Sequence, residues 1–162
     1  MRVSKDEFKK RILDYLSQNK RMSLATSREN RPWASTVMYA YDDDFNIYFL
    51  SDENTRKVQN LQSNPKIAAT INEITGGIGK VKGIQLEGEC KMVSRLEAAK
   101  VYSLFLKKYF WLKDYIPSAK QMFSGAIKNR LFKITPQKIY YLDDERFGSG
   151  GRGELVLKHA DA

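Results

Sequence analysis

Between residues 5 and 19 the apolar side chains Phe8, Ile12, Tyr15 and Leu16 recur at three- and four-residue intervals, with Lys9, Lys10 and Asp14 between them. That period places them on one face of a helix, which Asn19-Lys20 ends. From residue 21 the period falls to two, predicting strands over 21–27, 33–41 and 46–51. Polar turns, Arg28-Glu29-Asn30-Arg31-Pro32 and Asp42-Asp43-Asp44, separate them. A short helix follows Thr55, and strands over 66–73 and 81–93 flank a Gly-rich connection, Thr75-Gly76-Gly77-Ile78-Gly79. Residues 95–110 read as a helix with Leu96, Ala99, Val101, Leu104 and Phe105 as its apolar positions, and a second helix at about 118–127 follows Pro117. Strands over 130–135 and 138–142, broken by Thr135-Pro136-Gln137, close the pattern.

Six or seven strands joined mostly by short turns predict a mainly β fold, a small antiparallel barrel with peripheral helices. Most connections are too short for the crossovers that a parallel sheet needs. The organisation expected is one domain over 1–162: an N-terminal helix at 5–19, a barrel core at 21–93, a helical segment at 95–127, C-terminal strands at 130–142 and a flexible tail at 147–162.

Composition narrows the chemistry. Hydrophobic residues make up 42%, enough for a packed core. No apolar run approaches the roughly 18 residues of a membrane span, and residues 1–7 lack the apolar segment of a secretory signal. Cys90 is the single cysteine, which fits a reducing cytoplasm. With one histidine, His159, near the end of the chain, neither a Ser-His-acid triad nor a structural zinc site is expected. Gly148–Gly153 lacks the Lys-Ser/Thr ending of a phosphate-binding loop, and Asp42-Asp43-Asp44 lacks calcium-loop spacing. Glu87 and Glu89 share one strand face and suit a solvated surface better than acid–base catalysis. The net charge of +9 asks for an anionic partner, but the cations are scattered, which suits a phosphate pocket at least as well as a nucleic-acid groove.

The segment 49–67 is where such a pocket would form. A strand runs into a polar turn, then into a helix that opens with Thr55, Arg56 and Lys57. A helix N-terminus exposes unpaired N–H groups and a partial positive charge, so a hydroxyl and two cations there fit a phosphate. A capped surface helix with solvated cations is the alternative. Few side-chain catalysts beside a phosphate-type turn point to borrowed cofactor chemistry. The strand 33–39 mixes small, hydroxylated and apolar groups, as a flat ring lying on a strand requires.

These pieces carry a resemblance. Pro32-Trp33-Ala34-Ser35-Thr36-Val37-Met38-Tyr39 is similar to the P-x-x-S-x-V-x-Y strand of flavin-binding split barrels related to pyridoxamine 5'-phosphate oxidase. Phe49-Leu50-Ser51, Thr55-Arg56-Lys57, Asn60-Leu61 and Asn64-Pro65 follow in the family's order. Gly83-Ile84-Gln85-Leu86-Glu87-Gly88-Glu89 resembles its Q-x-x-x-G strand. The resemblance implies a six-stranded antiparallel split β-barrel, a homodimer, and FMN in clefts between subunits. By position it implies Thr55, Arg56 and Lys57 on the phosphate, Ser35, Thr36, Val37, Leu50 and Ser51 along the ring and ribityl chain, and Gln85 reaching the flavin from the partner subunit. The B6 oxidase itself carries an Arg and, five residues on, a Lys where this chain has Ser35 and Ala40, so B6 oxidase activity is not implied. Ser-x-Val-x-Tyr resembles smaller relatives, some of which bind a deazaflavin coenzyme and some haem.

The function expected is transfer of electrons or hydride between FMN, or a deazaflavin coenzyme, and a small-molecule substrate. Tyr109-Phe110-Trp111 at the end of the 95–110 helix either anchors that helix on the barrel or, through Trp111, overhangs the cofactor. Lys107, Lys108 and Lys113 would then favour an anionic substrate or cofactor tail. The competing reading from another class is a basic nucleic-acid-binding barrel stacking bases on Trp33, Tyr39, Tyr41 and Tyr48.

Overall fold

The computed structural model describes residues 4–73, 77, 79–116, 118–123 and 128–157. The first helix, α1 (Lys5–Gln18), starts at Ser4, whose hydroxyl accepts the Glu7 N–H. It buries Ile12, Tyr15 and Leu16, the apolar stripe expected from its period. Strand β1 (Arg21–Arg28) turns directly into β2 (Arg31–Tyr41) through Glu29 and Asn30, both at positive φ. Two consecutive left-handed residues give the turn the twist that a two-residue hairpin needs. Strand β3 (Ile47–Asp52), helix α2 (Arg56–Ser63), and strands β4 (Lys66–Glu73) and β5 (Lys82–Met92) follow. A 3₁₀ turn (Arg95–Glu97) leads into α3 (Ala98–Lys108), and a second (Phe110–Asp114) precedes α4 (Ala119–Phe123).

Two elements differ from the sequence expectation. Residues 130–135 and 138–142 are not separate strands but one, β6 (Asn129–Asp143), which crosses the Thr135-Pro136-Gln137 stretch unbroken. Proline lacks an N–H for the ladder, so the irregularity is absorbed as a bulge: Gly88 pairs with Pro136, whereas Glu87 pairs with Lys138. Gly88 permits this, since a Cβ there would lie 2.3 Å from the Thr135 carbonyl oxygen. Second, part of the expected flexible tail is ordered. After the short α5 (Asp144–Phe147), strand β7 (Arg152–Val156) pairs with Lys138–Leu142 of β6. His159 lies outside the described residues.

The strands run in the order β3-β2-β1-β4-β5-β6-β7, all antiparallel, and β3 also pairs with β6. That last pairing closes a six-stranded barrel. The long β6 serves both purposes, its first half closing on β3 and its second half carrying β7. The barrel interior holds Met22, Leu24, Tyr39, Phe49, Ile71, Ile84 and Ile134, with Ile12 and Leu16 of α1 packed in the same cluster. A second cluster lies on the outer wall, where Val101, Phe105, Tyr109 and Leu112 cover Ala40, Tyr48 and Leu131. Strand alternation explains the division, because neighbours such as Tyr39 and Ala40 face opposite sides of one sheet. Leu96, expected on the apolar face of the 95–110 helix, is instead 96% exposed, because residues 95–97 form a 3₁₀ turn whose side chains fall out of the α-helical stripe. Met92, the last residue of β5, is also exposed.

Candidate functional site

A cleft of about 340 Å³ opens on the outer wall between β2, β3, the start of α2 and the α3–3₁₀ corner. Seven of the residues expected around a cofactor line it: Thr36, Val37, Leu50, Ser51, Thr55, Lys57 and Trp111. Thr36 sits on the outward face of β2, while Val37 turns into the barrel core and offers the cleft its backbone. Met38, Asp52, Phe105, Tyr109 and Leu112 complete the wall. Sequence reading missed four of these five, Tyr109 having belonged to the aromatic run before Trp111, since only the docking of α3 on the barrel brings most of them there. The outward phase of Met38, two residues from Thr36, was the one signal available.

At the α2 end, Thr55 is the residue before the helix, but its hydroxyl does not cap it. The Thr55 Oγ1 donates to the Asp52 carbonyl (2.8 Å) and shares a hydrogen bond with Ser51 Oγ (3.0 Å). The first helical bond runs from the Gln59 N–H to the Thr55 carbonyl. The N–H groups of Arg56, Lys57 and Val58 therefore have no acceptor among the described residues, the usual state of a helix start. Lys57 is half-buried, and burial pushes its ammonium pKa below the ordinary lysine value against the pull of Asp52. Among the described residues its Nζ has no hydrogen-bond or ion-pair partner. A desolvated, unpaired ammonium beside free N–H groups is unfavourable until an anion arrives.

The other expected residues lie elsewhere. Ser35 shares the inward face of β2 with Val37 and Tyr39; its buried Oγ has no partner among the described residues, and it does not line the cleft. Arg56 also stays outside, its guanidinium stacked 4.4 Å from the centre of the Trp33 ring. Gln85 belongs to a different face: it lines a shallow hollow of about 420 Å³ with Ala25, Ala34, Ala68, Thr70 and Tyr140. The base-stacking set does not form, because Tyr39 and Tyr48 are fully buried. Of the lysines expected to favour an anion beside Trp111, Lys108 points away and donates to the Leu16 carbonyl (2.8 Å), and Lys113 covers the Phe110 ring (3.8 Å). Ala40 is packed without exposure in the apolar outer cluster.

Fold and cleft together define a six-stranded split barrel with a helix-start pocket on its outer wall. The chain belongs to the pyridoxamine 5'-phosphate oxidase family, whose sequence profile matches residues 8–143. It is 28% identical to the UPF0306 protein of Klebsiella pneumoniae over 131 residues, 80% of this chain and 81% of that one. Among solved structures, a heme binding protein from Mycobacterium smegmatis matches with a TM-score of 0.71 at 18% identity, over 96% of this chain and 59% of its own. A FAD-binding protein from Mesorhizobium loti matches with a TM-score of 0.60 at 18% identity, over 85% and 92%. At such identities the two structures show a shared fold. No helix among the described residues is long and apolar enough to cross a membrane.

Proposed function

We propose that the outer-wall cleft binds FMN and that the protein is a flavin-dependent oxidoreductase acting on a small molecule. The observation that carries this reading is Lys57, a half-buried ammonium with no hydrogen-bond or ion-pair partner among the described residues, beside the N–H groups at the start of α2. A phosphate there would accept from Lys57 and the helix start, a charge-assisted arrangement. Ser51 and Thr55 hold the turn that aims those N–H groups. Thr36, Val37, Met38 and Leu50 supply the apolar bed and backbone contacts that a flat ring needs, and Trp111 closes one side. Bound FMN supplies hydride and single-electron chemistry that the side chains lack. This chain's residues bind, orient and shield the ring.

The cleft also implies a second copy. Its volume lies at the small end of the roughly 300–1,000 Å³ that ligand sites occupy, and Met38 and Trp111 at its mouth remain about half exposed. A homodimer would cover it, with Gln85 and the small-residue hollow around it on the interface. The lone, buried Cys90, whose thiol burial pushes up to about 12, suits a cytoplasmic setting where no disulfide is needed.

A visible spectrum of the purified protein, followed by titration of the apoprotein with FMN, tests the reading. Saturable FMN binding with displacement by inorganic phosphate is expected. Binding of a deazaflavin coenzyme or haemin in preference to FMN would overturn the cofactor assignment. A mass of one 18.7 kDa chain by light scattering, with FMN present, would overturn the dimer.

A further inference from the structure

A polar cleft of about 430 Å³ lies between one flank of α1 and the barrel rim where β5 begins and β6 ends. Arg11, Asp14 and Tyr15 line it from the helix and Asn19 from just beyond the helix end; opposite stand Lys82 and Asp143, paired across the rim. The Tyr15 hydroxyl donates to the Lys82 carbonyl (3.0 Å), tying helix to rim.

This wall collects unmet hydrogen-bonding capacity. Among the described residues, four buried side-chain atoms lack a hydrogen-bond partner, and three of them belong here: Asn19 Oδ1, Asp143 Oδ1 and Arg11 Nε. Buried polar groups are ordinarily satisfied. The other buried carboxylates among the described residues obey that rule: Asp42 accepts from Asn46, Tyr48 and Lys100, and Asp144 from the Val81 and Gly150 N–H groups. Asp143, only 5% exposed, receives one long bond from Tyr141 Oη (3.4 Å) on its other oxygen. Asn19 is 4% exposed, and its amide nitrogen is used on the Tyr15 carbonyl (2.9 Å), which leaves its oxygen over. The cations of the cleft cannot make up the deficit, because each already has an acid: Arg11 pairs through a terminal nitrogen with Glu7 (2.7 Å) and Lys82 with Glu145 (2.6 Å).

We infer that this cleft binds a small extended zwitterion, a molecule with a primary ammonium at one end and a carboxylate at the other. The ammonium supplies the donors that Asn19 Oδ1 and Asp143 Oδ1 lack, and the carboxylate accepts from Arg11 Nε. Terminal torsions of Asn and Asp are broad, so a rotation about them is enough to present each oxygen to the cleft. Arg11 and Asn19 stand eight residues apart, about 12 Å of helix rise, so several carbons must separate the two charges of the ligand. Acids and bases are balanced on the wall, which matches a molecule of no net charge. A metal ion is the poorer match, since Arg11 and Lys82 stand among the same groups. The site shares no lining residue with the FMN cleft, and the inference does not rest on that reading.

The test is a nuclear magnetic resonance titration of the full chain with 6-aminohexanoate, hexylamine and hexanoate, which offer both charges or one. The zwitterion should bind saturably and shift the Asn19 side-chain amide with the backbone amides of Lys82 and Asp143. Hexylamine and hexanoate should each bind at least about tenfold more weakly, for want of one charge-assisted contact. Asp143→Asn and Arg11→Lys, each folded by circular dichroism, should weaken the zwitterion by a similar factor; the second keeps the positive charge but lacks the Nε donor. Absence of saturable binding by the wild type would mean that water alone fills the cleft, and would overturn the proposal. Hexylamine binding as tightly as the zwitterion, or an affinity unchanged in both variants, would overturn it equally.

Discussion

Arg56 and Trp33 are bound to each other, the guanidinium lying 4.4 Å from the ring centre. The pair spans the start of α2 and the outer end of β2, so it braces the helix that brings Lys57 to the cleft. It also separates two cations that look equivalent in sequence. Arg56 is engaged in a cation–π contact, whereas Lys57 lines the cleft.

Single substitutions should therefore differ. On the proposed FMN reading, Lys57→Ala would remove one charge-assisted hydrogen bond of about 1.5–3 kcal/mol, and FMN affinity should fall at least about tenfold. Arg56→Ala should weaken binding less, through loosening of the helix start. Isothermal titration of both variants with FMN decides it. Equal losses would place both cations on the phosphate, and no loss in either would remove the phosphate from α2.

Trp111 lies on the cleft at about half exposure, with its ring edge-on to Tyr115 (5.7 Å, 87°). FMN should quench tryptophan emission, and Trp111→Phe should lose most of that quenching. Quenching that survives in the variant would assign it to Trp33 and make Trp111 an anchor of the 3₁₀ turn only.

Gly88 marks a close backbone approach between β5 and β6. Gly88→Ala would push a methyl against the Thr135 oxygen and the Pro136 Cα (2.8 Å). Relief requires shifting the bulge, at a cost of about 1–3 kcal/mol or more. Urea unfolding should show that loss. An unchanged midpoint would mean that the bulge relaxes freely.

Asp42 supplies a pH dependence. Its carboxylate, 6% exposed, accepts from the Asn46 N–H (3.0 Å), Asn46 Nδ2, Tyr48 Oη (2.9 Å) and Lys100 Nζ (3.0 Å). Burial raises its pKa, but the hydrogen bonds outweigh burial and hold it below the usual value of 3.8. A depressed folded-state pKa contributes stability that is present above the unfolded value and lost as pH falls through the folded one. Asp42→Asn should cost about 2 kcal/mol at pH 7, the scale of hydrogen bonds to a charged group, and the gap to wild type should close below about pH 4. A gap that persists in acid would mean that shape rather than charge holds the turn.

The period-two stretches and their turns determined the strands, because alternation is a local property that one buried face imposes on each strand. The helical stripe of α1 was legible for the same reason, and so was the helix start at Thr55, Arg56 and Lys57. Local pattern could not see that Pro136 lies inside a continuous strand, since the bulge depends on Gly88 of the partner strand accepting a close approach. Nor could it see β7, whose Gly-rich flanks read as a loop and whose pairing with β6 is a long-range contact. The site divided in the same way. Thr55 and Lys57 were readable from the helix start and Thr36 and Leu50 from the family resemblance, whereas Phe105, Tyr109 and Leu112 reach the cleft only because α3 docks on the outer wall through Val101 and Tyr48. Packing against that wall also turned Lys108 away from the cleft and onto Tyr39, an outcome set by which buried surfaces meet rather than by any residue's neighbours in the chain.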